Sequence, residues 1–415
     1  MDLANMLSSF TDFFSNDPWS ALTTVLATFG ITGTAIFSFL RRCNPAKDEA
    51  RIGQYFGDAK LLAPPNRRPA YSDRMAHVLA EMSDLAYYEF EGPSGFIVDA
   101  AKQVQSLNVT NTVDVQKFLE SFSSELMGNR VINVSILTNL LKASGFDLLG
   151  TVNVEDTQGF ACKRNVPGDE YVVIAFRGTE KKVSDWLTDL NAVPTQIGKE
   201  KVHTGFLKAF SEKKGEDGKT VSQKIEDIIN SPDVKDHTGA QLPVFITGHS
   251  LGGALALVAT KSLAPNIRGA CYTFGAPRIA NYEYFEKVKT PIYRVVNSSD
   301  VVPRVPPGAL MVLWVNAAKL LSWLTGFIPV VSSLFDKLES VLDKLNGYRH
   351  FGDLRYLTDV ATGKFENVKL LSNPPAIDRI MWLWKNLAST LFFSIKSHSM
   401  SIYRKKLRYI ANDRA

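Results

Sequence analysis

Four patterns of apolar and polar residues follow one another along the chain. The first is a run without charge, residues 21–40, in which Leu22, Val25, Leu26, Phe29, Ile31, Ile36, Phe37, Phe39 and Leu40 leave little polar surface. At about 1.5 Å per residue, some 20 residues cross a hydrocarbon layer of about 30 Å. A single transmembrane helix is therefore expected over residues 21–42, after an N-terminal tail of residues 1–20. Its threonines can return their hydroxyls to helical carbonyls and so are tolerated in lipid. Acid precedes the run (Asp2, Asp12, Asp17) and base follows it (Arg41, Arg42, Lys47, Arg51). That order is unlike the basic start of a cleaved leader, and by the positive-inside rule it places the body of the chain on the cytoplasmic side of a membrane. Gly30 and Thr34 have the small-xxx-small spacing through which two such helices can pair into a homo-oligomer.

The second pattern, residues 43–70, is polar and punctuated by Pro45, Pro64, Pro65 and Pro69, as in a tether. The third, from residue 71 to the end, mixes short apolar runs with helical stretches, as an α/β domain does. Strands are expected at Tyr171–Phe176, 242–246, 291–297 and 354–357, and a buried helix over 254–259. The fourth pattern interrupts this domain at about 307–347. Leu310, Met311, Val312, Leu313, Trp314, Leu320, Leu321 and Trp323 surround a single Lys319. An amphipathic stretch follows, with Val330, Leu334, Leu338, Val341 and Leu345 on one stripe and Asp336, Lys337, Glu339 and Asp343 on the other. A helical, hydrophobic insertion results, read either as a lid or acyl-binding wall that dips into lipid or as extra core packed on the sheet. A similar apolar run, 377–395, precedes His398.

Charge and composition narrow the function. Lys+Arg 47 against Asp+Glu 42 leaves +5 over 415 residues, too weak a field to imply nucleic-acid binding. Cys43, Cys162 and Cys271 are scattered and unpaired by motif, so neither a disulfide framework nor a zinc site is expected. No HExxH, EF-hand loop or dinucleotide fingerprint stands out, and no metal or organic cofactor is expected.

The strongest chemical signal is Gly248-His249-Ser250-Leu251-Gly252, preceded by an apolar strand and followed by the small-residue helix Ala254-Leu255-Ala256-Leu257. Strand, Gly-x-Ser-x-Gly and helix make a nucleophile elbow, whose glycines let strand and helix approach and whose serine is held exposed at a helix N-terminus. Ser250 is the expected nucleophile. A serine hydroxyl needs a base and an acid to orient that base. Asp300, just past an expected strand, sits where an α/β sheet places functional groups. For the base, spacing barely separates His350 from His398; His249 would point away from the reactive face, and His77, His203 and His237 precede the nucleophile.

Beyond these local signals, residues from about 71 to 403 resemble the class 3 lipases, an α/β-hydrolase family, and the resemblance implies that fold with a mostly parallel central sheet. The likeness rests on ordered blocks: Tyr71-Ser72-Asp73-Arg74, Phe176-Arg177-Gly178-Thr179 with Asp185-Trp186-Leu187, Val202-His203-Thr204-Gly205-Phe206, Gly248 to Ala254, Phe274-Gly275-Ala276-Pro277-Arg278, and Asp300-Val301-Val302-Pro303-Arg304. The resemblance implies Ser250, Asp300 and His398 as the triad, with His350 in a structural block. It also implies an oxyanion hole from the backbone N–H groups of Thr179 and Leu251, and a family lid over roughly 181–195. The implied activity is hydrolysis of acylglycerol esters at a membrane through an acyl-enzyme. Phospholipase A1-type activity is the near alternative, and a non-catalytic membrane-binding scaffold is an alternative of a different class. A peptidase on the same fold would leave the lipase blocks unexplained.

Overall fold

The structure is a computed structural model that describes residues 55–57, 59–66, 70–89, 130–131, 134–178, 194–215, 217–236, 238–300, 302–304, 347–358, 365, 367–375, 377–379 and 397–414. The chain divides into two compact units, one of residues 1–57 and 88–140 and one of residues 58–87 and 141–415. In the smaller, Tyr88–Glu89 pairs in parallel with Arg130–Val131. The larger holds the residues expected to carry the chemistry.

Eight strands form its sheet: β1 (Phe146–Val154), β2 (Thr157–Arg164), β3 (Tyr171–Phe176), β4 (Val244–His249), β5 (Gly269–Phe274), β6 (Ile292–Asn297), β7 (Asp353–Leu357) and β8 (Leu370–Ser372). They lie side by side in chain order. β3 to β7 run parallel, while β1 and β2 at one edge and β8 at the other are antiparallel. The mostly parallel centre that the resemblance implies is thus present. Every residue of β3, β4 and β5 is buried, as parallel strands covered on both faces must be.

Strand alternation sorts the side chains between the two faces. Val172, Ile174 and Phe176 of β3 and Val244 and Ile246 of β4 join one apolar cluster with three helices: α1 (Thr204–Ser211) through Phe206 and Phe210, α2 (Val221–Asn230) through Ile225 and Ile229, and α3 (Leu251–Leu263) through Leu255 and Val258. Each such large side chain, when fully buried, contributes about 1.5–3 kcal/mol. α2 starts with a reciprocal cap, in which the Gln223 N–H donates to Thr220 Oγ1 at 3.2 Å and the Thr220 N–H to Gln223 Oε1 at 2.9 Å. α3 is apolar on every face over residues 252–259, where each residue is buried.

The intervening residues Phe245, Thr247 and His249 face the other way. There the helix Asp73–Leu85, capped by Ser72, meets the sheet through Ser83, whose hydroxyl is 2.9 Å from that of Thr247. The C-terminal helix Met400–Asp413 lies beside it and is tied to it by Arg404, which contacts Glu81 and, at 2.6 Å, Asp84. Both carboxylates are buried, and His77 Nδ1 lies 3.7 Å from Glu81.

Burial pushes the Glu81 carboxyl from 4.5 up to about 7; Arg404 and Arg408 pull it down and Asp84 raises it. A carboxyl that binds its proton more tightly in the folded chain stabilises the fold fully below its ordinary value, and this stabilisation is lost as pH rises through the folded value. Thermal stability should therefore fall between about pH 4.5 and 7, by up to about 3 kcal/mol from this group. Glu81→Gln, which keeps the uncharged shape, should flatten that decline; an unchanged slope in calorimetry would remove Glu81 as its origin.

Among the described residues, no helix is long and apolar enough to cross a membrane. The expected span at 21–42, the insertion at 307–347 except Gly347, the lid region at 181–193 and most of the run 377–395 lie outside the described residues.

Candidate active site

Ser250 sits between β4 and α3 with φ 57° and ψ −126°. A non-glycine residue held there costs about 1–3 kcal/mol, offset by bonds that leave the turn little choice. The Ser250 N–H donates to the Phe274 carbonyl at 2.9 Å, and the Ser250 carbonyl accepts from Gly253 at 3.0 Å and Ala254 at 3.2 Å. Steric limits set the glycines of the elbow. A Cβ on Gly248 would lie 2.3 Å from the Gly252 carbonyl carbon and oxygen, so strand and helix can pack only if that position has none.

Serine before a helix usually turns its hydroxyl onto the helical amides as a cap. Here the backbone twist carries it away, and Ser250 makes no side-chain cap bond. Its Oγ instead lies 2.8 Å from His398 Nε2, and His398 Nδ1 lies 3.0 and 2.9 Å from the two Asp300 carboxylate oxygens. A carboxylate only accepts, so Nδ1 carries the imidazole proton. Nε2 is then the bare nitrogen of the neutral ring, able to accept the Ser250 proton. Asp300 is fully buried and also accepts the Tyr403 hydroxyl at 2.6 Å and the Val302 N–H at 2.9 Å. Gly275, at φ 60°, lines the acid and base from below: a Cβ there would meet Asp300 Oδ2 at 2.7 Å and His398 Cε1 and Nδ1 at 3.1 Å.

The loop around Asp300 is held by its carbonyls. Arg304 donates to the Ser298 and Asp300 carbonyls at 2.7 and 3.2 Å, Arg278 to that of Arg304 at 2.5 Å, and His350 Nε2 to that of Pro303 at 2.6 Å. Burial, and then the charges of Arg294, Arg278 and Arg379, hold His350 well below the usual histidine range. His350 is therefore a neutral donor bracing the loop, and it makes no bond to Ser250.

His249 has a part that sequence reading misses. Strand alternation aims it at the face occupied by His398, where the two rings lie 4.5 Å apart. Its Nε2 is 2.6 Å from the His398 carbonyl, and its Nδ1 is 2.6 Å from the Tyr87 hydroxyl. A carbonyl cannot donate, so Nε2 carries the proton. Burial, and next the neighbouring His398, keep the ring well below the usual histidine range, leaving Nδ1 to accept from Tyr87. The signal available in the sequence was the odd-numbered register of β4, which sends His249 to the face opposite Ile246.

The remaining histidines lie elsewhere. His203, pushed down to about 4 by burial, caps α1 by accepting the Gly205 N–H at 3.1 Å; His77 borders Glu81, and His237 lies outside the described residues. Cys162 and Cys271 are buried free thiols. Burial raises both, Cys271 to about 12, so neither offers a thiolate. Among the described residues, no group of His, Cys, Asp or Glu is placed to hold a metal ion.

Of the two N–H groups expected to face an oxyanion, that of Leu251 belongs to the first residue of α3 and has no intrahelical acceptor. Thr179 lies outside the described residues. The turn leading to it abuts the elbow: a Cβ on Gly178 would lie 2.4 Å from the His249 carbonyl oxygen and 3.2 Å from Ser250 Cβ.

A sheet with a parallel centre, and a serine on the strand-to-helix elbow aligned with a histidine and an acid, define an α/β-hydrolase. Residues 173–309, which hold the elbow, the acid and the Arg177-Gly178-Thr179 turn, match the family model of the class 3 lipases. This segment carries the chain's similarity to that family. A lipase of Rhizomucor miehei is 33% identical to it over 153 residues, which cover 34% of this chain and 39% of that protein. A secreted mono- and diacylglycerol lipase of Fusarium solani is 33% identical over 144 residues, with 33% and 39% covered. A chloroplastic phospholipase A1, Igamma2 of Arabidopsis thaliana, is 28% identical over 256 residues, with 49% and 47% covered. The chain thus spans less than half the length of these curated relatives. Among solved structures, lipase II of Rhizopus niveus aligns with 56% of this chain and 72% of its own at 21% identity and a TM-score of 0.38.

Proposed function

We propose that the protein is a serine hydrolase that cleaves carboxylic esters of acylglycerols at a lipid surface. The observation that carries this reading is the unbroken line from Ser250 Oγ through His398 to Asp300, at 2.8 Å and 2.9 Å. Ser250 Oγ attacks the ester carbonyl as its proton passes to His398 Nε2. The oxyanion is received by the Leu251 N–H and, as the family resemblance implies, by that of Thr179. Collapse breaks the bond to the alcohol oxygen, which leaves with the proton from His398. Water, deprotonated by the same nitrogen, then releases the fatty acid and restores Ser250. Each oxyanion donor of this kind is worth about 10²- to 10³-fold in rate.

The lipid substrate is supported by the lipase and mono- and diacylglycerol lipase relatives and by the apolar insertion that begins seven residues after Asp300. The phospholipase A1 relative favours a second reading, in which the ester belongs to a membrane phospholipid. The uncharged run at 21–40, followed by Arg41 and Arg42, supports a membrane anchor with the enzyme on its cytoplasmic side.

The test is hydrolysis by the full chain of a soluble short-chain ester, emulsified tri- and diacylglycerol, and phosphatidylcholine vesicles, with fluorophosphonate labelling in parallel. Turnover rising at the lipid interface, with the label on Ser250, is the expected result. Fatty acid released faster from phosphatidylcholine than from acylglycerol selects the phospholipase reading. No turnover and no adduct would leave a non-catalytic scaffold.

A further inference from the structure

Asn297 ends β6 three residues before Asp300, and all its polar groups point into the machinery behind the triad. Its backbone N–H donates to the Tyr403 hydroxyl at 3.0 Å, the same hydroxyl that donates to Asp300 Oδ2 at 2.6 Å. Its side-chain Nδ2 donates to the carbonyl of Ser397, the residue before His398, at 2.9 Å. Its Oδ1 accepts from Lys406 Nζ at 2.6 Å, and Lys406 donates in addition to the Thr358 carbonyl beyond β7 at 3.0 Å. Asn297 and Lys406 are each 1% exposed.

We infer that Asn297 is a positioning residue of the reaction, setting the acid through Tyr403 and the base through the Ser397 carbonyl, with Lys406 fixing which way its amide points. This rests on the serine-hydrolase reading above. The chemistry decides the orientation: an ammonium only donates, so the amide oxygen must face Lys406 and the amide nitrogen must face Ser397. His398 lies on a short turn between residues outside the described set and the helix Met400–Asp413, so a bond to the preceding carbonyl is a direct restraint on its backbone. The other restraint comes from the opposite side, where His249 holds the carbonyl of His398 itself. Both carbonyls flanking the His398 backbone are thus taken by fixed donors, one from the end of β4 and one from the end of β6. A buried ammonium is costly unless its neighbours satisfy it, and here they do so while orienting the amide.

Asn297→Asp separates this role from simple packing. The carboxylate keeps the size of the amide and pairs more strongly with Lys406, so the fold should persist, but it cannot donate to Ser397 and instead repels that carbonyl. The added anion near the triad also favours the protonated form of His398. The expected result is a kcat lowered about 10- to 100-fold with KM within twofold of wild type, an acid limb of the kcat profile moved to higher pH, and slower fluorophosphonate labelling of Ser250. Tyr403→Phe, which deletes both the arm to Asp300 and the acceptor of the Asn297 N–H, should lower kcat and shift the limb in the same direction. If wild type turns over ester and both folded variants match it in kcat and pH profile, the inference is overturned while the hydrolase reading stands. A lowered unfolding midpoint with an unmoved pH profile would also overturn it, since that is what structural packing alone predicts. An inactive, unlabelled wild type would overturn the hydrolase reading itself.

Discussion

Ser250→Ala is expected to lower kcat on any ester the wild type cleaves by about 10⁶-fold, the scale seen when a triad nucleophile is removed. The reason is geometric: the hydroxyl is the single atom that completes the line to His398 Nε2 at 2.8 Å, and no other described side chain is recorded bonding to that nitrogen. Oxyanion donors and lipid binding survive, so a residue of catalysis over water of about 10³- to 10⁴-fold should remain. Alanine inherits the positive φ of Ser250 and loses no buried apolar surface, so folding should be little changed. The checks are initial rates on emulsified acylglycerol, loss of the fluorophosphonate adduct by mass spectrometry, and a matching unfolding curve. More than one per cent of wild-type turnover would place the nucleophile elsewhere.

Asp300→Asn should be nearly as damaging, at about 10⁴-fold in kcat. Asp300 accepts three donors at once, from His398 Nδ1, the Tyr403 hydroxyl and the Val302 N–H. An amide offers one oxygen to those three, and its NH₂ group cannot accept. When that NH₂ faces His398, the imidazole must turn to the other tautomer, its Nε2 then carrying a proton toward Ser250 instead of a lone pair. Substrate contacts are untouched, so KM should change little while kcat collapses. A variant with near-wild-type kcat would show that His398 is oriented without Asp300, by the bonds to its flanking carbonyls alone.

The two substitutions bear on features of unequal visibility in the sequence. The elbow was legible because its constraints act within a few residues: Gly248 must lack a Cβ because the helix it feeds passes 2.3 Å from where that atom would lie, and a strained serine between a buried strand and a buried helix is a local arrangement. Strand β3, most of β4 and the start of α3 were visible because runs buried on both faces are largely apolar; β6 and β7 showed as shorter apolar runs interrupted by the half-buried Arg294 and Arg355. β1 and β2 were not singled out: most of β1 is only half-buried, and neither strand is a continuous apolar run.

Spacing could not choose between His350 and His398, because both follow Asp300 and both lie near secondary-structure ends. Family resemblance pointed to His398, and the geometry separates the two: one braces the Pro303 carbonyl and the other joins Asp300 to Ser250. The supporting cast was hidden altogether. Tyr403 reaches Asp300 across 103 positions and His249 reaches the His398 carbonyl across 149. Asn297 and Lys406 meet across 109.

By itself, then, the sequence marked the elbow serine and the acid at a strand end, both of which follow from local sterics, while the parallel centre of the sheet followed from the resemblance. The choice of His398 over His350 came from family resemblance and agrees with its place between Ser250 and Asp300; what holds it there, the tertiary structure alone decided. That answer depends on which face each strand residue takes and where the C-terminal helix docks, and both are set only once the sheet has assembled and the chain has closed over it.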